Sequence, residues 1–127
     1  MGIWKLLKRR WNKSAINQLF AGLKFYVEYI RSYFWSIRSY DNFRTHEHKN
    51  ISNFIEECLQ TIERLRRYGL PSDKLDDLSR LIEDLKKLIK KLKDENEVSK
   101  CDVIVSEIND KSIHIVRLVL ELYQLFR

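Results

Sequence analysis

Glycine and proline are scarce in this chain, with three and one in 127 residues. Because β-turns depend on these two residues, an all-β fold is disfavoured. Cysteine is equally rare: Cys58 and Cys101 both fall on apolar helical positions, where we expect small buried side chains in preference to a disulfide. No apolar run reaches the roughly 20 residues that a transmembrane helix needs, and no signal peptide is recognisable. We therefore expect a protein of the cytoplasm or of an assembled particle.

Acidic residues are nearly absent from the first forty positions, where Glu28 stands alone against eight Lys or Arg. This third of the chain therefore has a net charge of +7, which exceeds the +6 of the whole chain. Such an asymmetry favours a polyanion or an anionic membrane as a partner. A basic surface that only keeps the protein in solution is the alternative.

Helical periodicity dominates the sequence, most strongly between residues 14 and 43, with Ser14 as the expected N-cap. The apolar seam of this segment has alternating spacings of four and three: Ile16, Phe20, Leu23, Val27, Ile30, Phe34 and Ile37. Tyrosines occupy an adjoining stripe, so that the apolar arc covers more than half of the circumference, whereas a surface helix needs about 100°. We expect the surplus apolar surface to be buried by self-association, which makes a homo-oligomer.

Two functional surfaces are predicted on the first third of the chain. The self-association interface is predicted at aromatic residues, namely Trp4, Trp11, Tyr26, Tyr29, Tyr33 and Tyr40. Polyanion binding is predicted at basic residues, namely Lys5, Lys8, Arg9, Arg10, Lys13, Lys24, Arg31 and Arg38. The last four are named the basic edge, because their helical spacing places them on one line. No recognition-helix motif occurs, so we expect contacts to the nucleic-acid backbone without sequence preference.

Residues 1–13 form a separate amphipathic segment in which tryptophans lie opposite lysines and arginines. This pattern is typical of helices that lie on a membrane surface or dock onto a partner. Peripheral membrane binding through this segment is therefore the alternative to nucleic-acid binding.

Three further amphipathic helices are predicted in residues 14–127, which we expect to form a single domain. The fold class is therefore all-α, an antiparallel four-helix bundle with an N-terminal amphipathic helical extension. Asp41 to Asn50 loses the periodicity and is predicted to be the first connection. Gly69 and Pro71 end the second helix, and Ser72 is expected to cap the third. The predicted seams are Ile51, Ile55, Cys58, Ile62 and Leu65; Leu75, Leu78, Ile82, Leu85, Ile89 and Leu92; and Cys101, Val105, Ile108, Ser112, Ile115, Val119, Leu122 and Phe126.

The final segment also permits a β-hairpin around Asn109 and Asp110, because it is rich in β-branched residues. We favour a helix, since a lone hairpin would need a sheet to pack against. The third helix carries a lysine run from Lys86 to Lys93. Because acids are interleaved with these lysines, with Asp76–Arg80 and Glu83–Lys87 as expected pairs, we interpret the run as a solvated helix face.

Residues that could carry chemistry are few. His46 and His48 form a His-x-His pair, which supplies two metal ligands without an obvious third, so that an exposed polar turn is the preferred interpretation. No glycine-rich phosphate loop occurs, and the cysteines lie on apolar seams where a thiolate is disfavoured. The sequence predicts neither an enzyme nor a small-molecule substrate, cofactor or metal.

The chain resembles small helical proteins of viruses and mobile elements with AT-rich genomes, including bundle-type virion components, in size and in its richness in Ile, Lys, Tyr and Asn. The sequence thus predicts a non-catalytic structural subunit that self-associates and binds a polyanion.

Overall fold

The computed structural model describes residues 12–127, which are helical apart from short connections. The four long helices are α1 (Lys13–Trp35), α3 (His48–Arg67), α4 (Ser72–Asp94) and α5 (Val98–Phe126). A short helix α2 (Tyr40–Asn42) and a π-helix (Phe43–Glu47) precede α3. Residues 12–127 contain no strand, so that the all-α class is confirmed and the hairpin alternative is wrong.

Each long helix contributes one apolar seam to a common core. α1 packs against α3 and α5, and α4 packs against the same two helices, which places α1 and α4 at opposite corners. All predicted seam residues are buried except Ile37, which follows the end of α1 and is half-buried. Ser112 occupies the predicted core position in α5 and donates a hydrogen bond of 2.7 Å from its Oγ to the carbonyl of Ile108. The bond satisfies this hydroxyl within a fully buried seam.

The predicted connection at Asp41 to Asn50 is wrong, because these residues are helical. α1 ends at Trp35, and the observed connection runs through residues 36–39. Ser39 then caps α2, its Oγ accepting a hydrogen bond of 3.1 Å from the backbone N–H of Asn42. Phe43 is fully buried, with its ring centroid 5.6 Å from that of Phe34. The polar residues of this segment are therefore helical up to the start of α3, because the Phe43 ring among them is buried in the core.

Other helix ends depart from the prediction by one or two residues. Asn12, and not Ser14, caps α1, with its Oδ1 accepting a bond of 3.1 Å from the N–H of Ala15. Gly69 has a φ of 84°, which confirms the left-handed helix end that favours glycine. Ser72 is the first residue of α4 and not its cap.

Arg44 connects the π-helix to the end of α4 and the start of α5. Its Nη2 donates hydrogen bonds to the backbone carbonyl of Glu95, at the end of α4, and to the sulfur of Cys101 in α5 at 3.3 Å. Its Nη1 lies 3.3 Å from Asp41. A cation at the C-terminus of α4 also complements the helix dipole. Arg44 therefore holds three elements together.

The predicted extension, residues 1–13, lies almost wholly outside the described residues, and Lys13 already belongs to α1. Within residues 12–127, no helix is both long and apolar enough to cross a membrane.

Replacement of Arg44 by methionine should lower the free energy of unfolding by about 2 kcal/mol, since hydrogen bonds from charged groups typically contribute about 1.5–3 kcal/mol. Urea unfolding followed by circular dichroism measures the change. Arg117→Met is the control, because Arg117 is exposed and forms no ion pair within residues 12–127. An equal loss in both variants would contradict the role of Arg44.

Candidate interaction surfaces

Four aromatic rings meet at the surface between α1 and α3, and we name them the aromatic surface: Phe25, Tyr26, Tyr29 and Phe54. The Phe54 ring centroid lies 4.6 Å from that of Tyr29, 5.4 Å from that of Tyr26 and 6.4 Å from that of Phe25. Phe25 is 59% exposed and Tyr29 38% exposed. The two helices thus hold a preformed group of rings, part of which faces solvent.

The predicted interface tyrosines divide into two pairs. Tyr26 and Tyr29 belong to the aromatic surface, whereas Tyr33 and Tyr40 make contacts that hold their own chain together. The Tyr33 ring lies 5.1 Å from that of Phe34, between centroids. The hydroxyl of Tyr40 donates a hydrogen bond to Asp102 of α5. Trp4 and Trp11 lie outside the described residues.

Several exposed or half-exposed aromatics were not among the predicted interface residues, including Phe25, Phe54 and Trp35. Phe25 lies about 180° from the middle of the α1 seam on a helical projection, which is a signal that the sequence does carry. Phe54 has no such signal, because its place beside Phe25 depends on how α3 packs on α1. Trp35 is 69% exposed at the end of α1.

The basic edge borders the opposite side of α1, towards α5. Lys24 lines two adjoining grooves between these helices, of about 390 and 210 Å³. Leu120 lies in both grooves, and Arg127 adds a second positive charge to the larger one. The larger α1–α5 groove therefore combines apolar walls with a basic rim, whereas Glu28 lines the smaller groove beside Lys24.

The other members of the basic edge differ in their freedom to bind an anion. The guanidinium of Arg31 donates two bonds to Glu28, of 3.0 and 3.2 Å, so that its charge is already paired. Arg38 is exposed but lies beyond the end of α1, which shortens the predicted line on the helix. Lys13 is exposed at the first position of α1. Lys5, Lys8, Arg9 and Arg10 lie outside the described residues.

His46 and His48 are expected from the sequence to lie in an exposed polar turn, and this expectation is wrong. His46 lies on the π-helix and His48 is the first residue of α3. Thr45 Oγ1 lies 2.7 Å from Nδ1 of His46. No group of three or more His, Cys, Asp or Glu residues suited to a metal ion occurs in the described part of the chain.

Both cysteines are buried free thiols, as the sequence predicts. Burial, with a smaller contribution from the charge of Glu57, raises the pKa of the Cys58 thiol to about 12. Cys58 is therefore protonated at neutral pH and lacks the thiolate that nucleophilic chemistry requires.

Comparison of the chain with protein-family models, with curated proteins and with solved structures gives no match.

Stability should fall between pH 10 and pH 12 because of two tyrosines. Burial and the charge of Glu47 raise the pKa of Tyr33 to about 12, and burial and the bond to Asp102 raise that of Tyr40 to about 12, from 10.0 in each case. The unfolded chain releases these two protons near pH 10, whereas the folded chain retains them until about pH 12. The contribution of the two tyrosines to the free energy of unfolding is therefore complete below pH 10 and is lost as the pH rises to about 12.

Urea midpoints across this pH range should therefore change less in the double variant Tyr33→Phe, Tyr40→Phe than in the wild type. Tyr68→Phe, at an exposed position at the end of α3, is the control. A pH dependence that is identical in all three proteins would contradict the assignment to Tyr33 and Tyr40.

Proposed function

We propose that this protein is a non-catalytic structural subunit that self-associates through the aromatic surface and binds nucleic-acid backbone through the basic edge. The observation that carries the proposal is the group of rings at the surface in which Phe25 and Tyr29 are exposed and pack with the half-buried Phe54. Aromatic residues are enriched at protein interfaces, and phenylalanine is normally buried.

We further propose that the four helices form an antiparallel bundle. Phe20, early in α1, lies 5.8 Å from Phe126, late in α5, measured between ring centroids. Glu56 in α3 pairs with Lys86 in α4 at 2.7 Å, and Asp84 in α4 approaches Lys111 in α5 at 3.7 Å. These contacts, together with connections of only a few residues, support alternating helix directions.

The energetics favour an interface larger than a single ring. A phenylalanine buries roughly 150–250 Å², so the exposed part of Phe25 corresponds to about 100 Å². At about 25 cal/mol/Å², its burial contributes about 2.5 kcal/mol per copy. The two copies of a dimer together contribute about 5 kcal/mol, which reaches only the lower end of the cost of association, about 4–15 kcal/mol. Tyr29 and Phe54 must therefore share the interface, which their ring contacts allow.

The electrostatic half of the proposal depends on unpaired cations. Among residues 12–127, Lys13, Lys24 and Arg38 form no ion pair with a carboxylate. The absence of such pairs leaves their charges available for phosphates, whose binding releases counterions and is therefore salt-dependent. No contact of this kind selects a base, which agrees with the expected lack of sequence preference.

Phe25→Ser should shift the protein from an oligomer to a monomer, because it removes the most exposed ring of the aromatic surface. Light scattering coupled to size exclusion measures the mass. Val103→Ser is a matched control, since Val103 is also 59% exposed but lies on α5. A monomeric wild type, or equal masses for the two variants, would overturn self-association through this surface.

Lys24→Gln combined with Arg38→Gln should weaken binding to a duplex of any sequence. The slope of log K against log salt should fall by about 1.8, that is about 0.9 for each lost phosphate contact. Fluorescence anisotropy at several salt concentrations measures the slope. The control is Lys91→Gln with Lys111→Gln, which removes the same charge from the groove between α4 and α5.

Anionic vesicles provide the contrasting measurement. Flotation of the protein with such vesicles, together with no affinity for DNA or RNA below physiological salt, would contradict the nucleic-acid proposal and favour peripheral membrane binding.

A further inference from the structure

The groove between α3 and α4 has a volume of about 370 Å³ and an uneven charge. Glu83 is the acid among its lining residues. Four lysines of α4 also line it: Lys86, Lys87, Lys90 and Lys93. His48 and Ser52 face them from α3. From the sequence, these lysines are expected to form a solvated face balanced by interleaved acids, and the ion pairs of the structure show which residues those acids contact.

Several acids of α4 form ion pairs away from this groove. Asp76 pairs with Arg66 of α3 at 2.6 Å, and Asp77 pairs with Arg80 at 3.3 Å in place of the expected Asp76–Arg80 pair. Asp84 faces α5, where it approaches Lys111. Asp76, Asp77 and Asp84 thus pair with cations that do not line this groove, whereas Glu83 remains in its lining.

The lysines of the groove are mostly unpaired. Lys86 pairs with Glu56 at the rim, and the carboxylates of residues 12–127 form no ion pair with Lys87, Lys90 or Lys93. Positive charge is therefore left facing the groove without a fixed counter-ion. Burial and the neighbouring charges of Lys93 and Lys49 lower the pKa of His48, as expected beside uncompensated cations.

The neighbouring groove between α4 and α5 shows that lysines alone do not produce this imbalance. Its lining contains Lys87, Lys91 and Lys111 together with three acids: Asp84, Glu107 and Asp110. The two grooves share one helix, yet one is balanced and the other is cationic. The cationic character therefore comes from the particular pairing of α3 with α4.

The spacing of the lysines suits a chain of phosphates. Lys86, Lys90 and Lys93 follow one another by four and three residues, which covers about 10 Å along the helix axis. Phosphates of one DNA strand are spaced by about 3.4 Å along the duplex axis, so the three lysines cover a length of about three phosphate spacings. The Ser52 hydroxyl and the His48 ring provide additional hydrogen-bonding groups on the facing wall.

The α3–α4 groove and the basic edge lie on different sides of the molecule. The basic edge borders the α1–α5 grooves, and because α1 and α4 occupy opposite corners, the α3–α4 groove lies on the opposite face. We propose that the α3–α4 groove is a second phosphate-binding site, which allows a single chain to hold two nucleic-acid segments at once. The inference rests on the proposed binding of nucleic acid by the basic edge.

Single-molecule co-capture tests the bridging directly. The full chain carries one dye and is tethered at low density through a flexible linker after Arg127, and spots are scored only where that dye bleaches in one step. Two duplexes with different dyes are then added together. The wild type should capture both duplexes on one molecule.

Lys90→Gln combined with Lys93→Gln should lower double capture about tenfold while single capture through the basic edge persists. The control Lys91→Gln with Lys111→Gln should resemble the wild type. Wild-type molecules that capture one duplex and never two would overturn this inference and leave the proposed function standing. Molecules that capture no duplex would overturn both.

Tripolyphosphate distinguishes a nucleic-acid site from a site for a small phosphate compound. In NMR spectra, it should shift the His48 ring signals and leave those of His114, in the balanced α4–α5 groove, unchanged. Equal shifts at both histidines, or none, would overturn the phosphate site. A shift at His48 without double capture of duplexes would retain the phosphate site and overturn bridging.

Discussion

Burial of four apolar seams in one core is the constraint on which the other features of this molecule depend. Ile16, Ile55, Leu78 and Ile108 come from four different helices and are each at most 1% exposed. Full burial of each such side chain contributes about 1.5–3 kcal/mol. Because every long helix directs one face inwards, the pairing of helices decides which of the remaining faces meet at the surface. The grooves are therefore products of packing as well as of sequence.

The sequence predicts the features that depend on neighbours along the chain. The four seams, the buried Ser112 and the left-handed Gly69 follow from helical period and local backbone chemistry, and all are confirmed except the seam position Ile37, which lies beyond the end of α1. The start of the second long helix is missed for a physical reason. Phe43 and Ile51 are both fully buried but differ by about 80° on a regular helical projection. The wider turns of the intervening π-helix reduce this offset.

The surfaces are less predictable than the core because they join residues that are distant in the sequence. Tyr29 is visible as an apolar residue beside the α1 seam, but its contact with Phe54 requires α3 to pack at one particular register. The lysines of α4 are also visible, but their charge balance is not. The charge balance of the groove depends on two ion pairs, in which Asp84 approaches Lys111 of α5 and Asp76 pairs with Arg66 of α3. A count of charges along one helix cannot report which face each acid occupies.

In the proposed function, the positions of these surfaces would link oligomerisation to nucleic-acid binding. The aromatic surface lies between α1 and α3, so that the α1–α5 grooves and the cationic α3–α4 groove flank it on its two sides. Two copies joined through the aromatic surface would bring like charges towards each other, which opposes association at low salt. Phosphates bound along either flank would neutralise this repulsion and so stabilise the proposed dimer. By linkage, the dimer would then bind nucleic acid more tightly than the monomer does. The balanced α4–α5 face lies opposite the aromatic surface, so that we expect it to take no part in this proposed coupling.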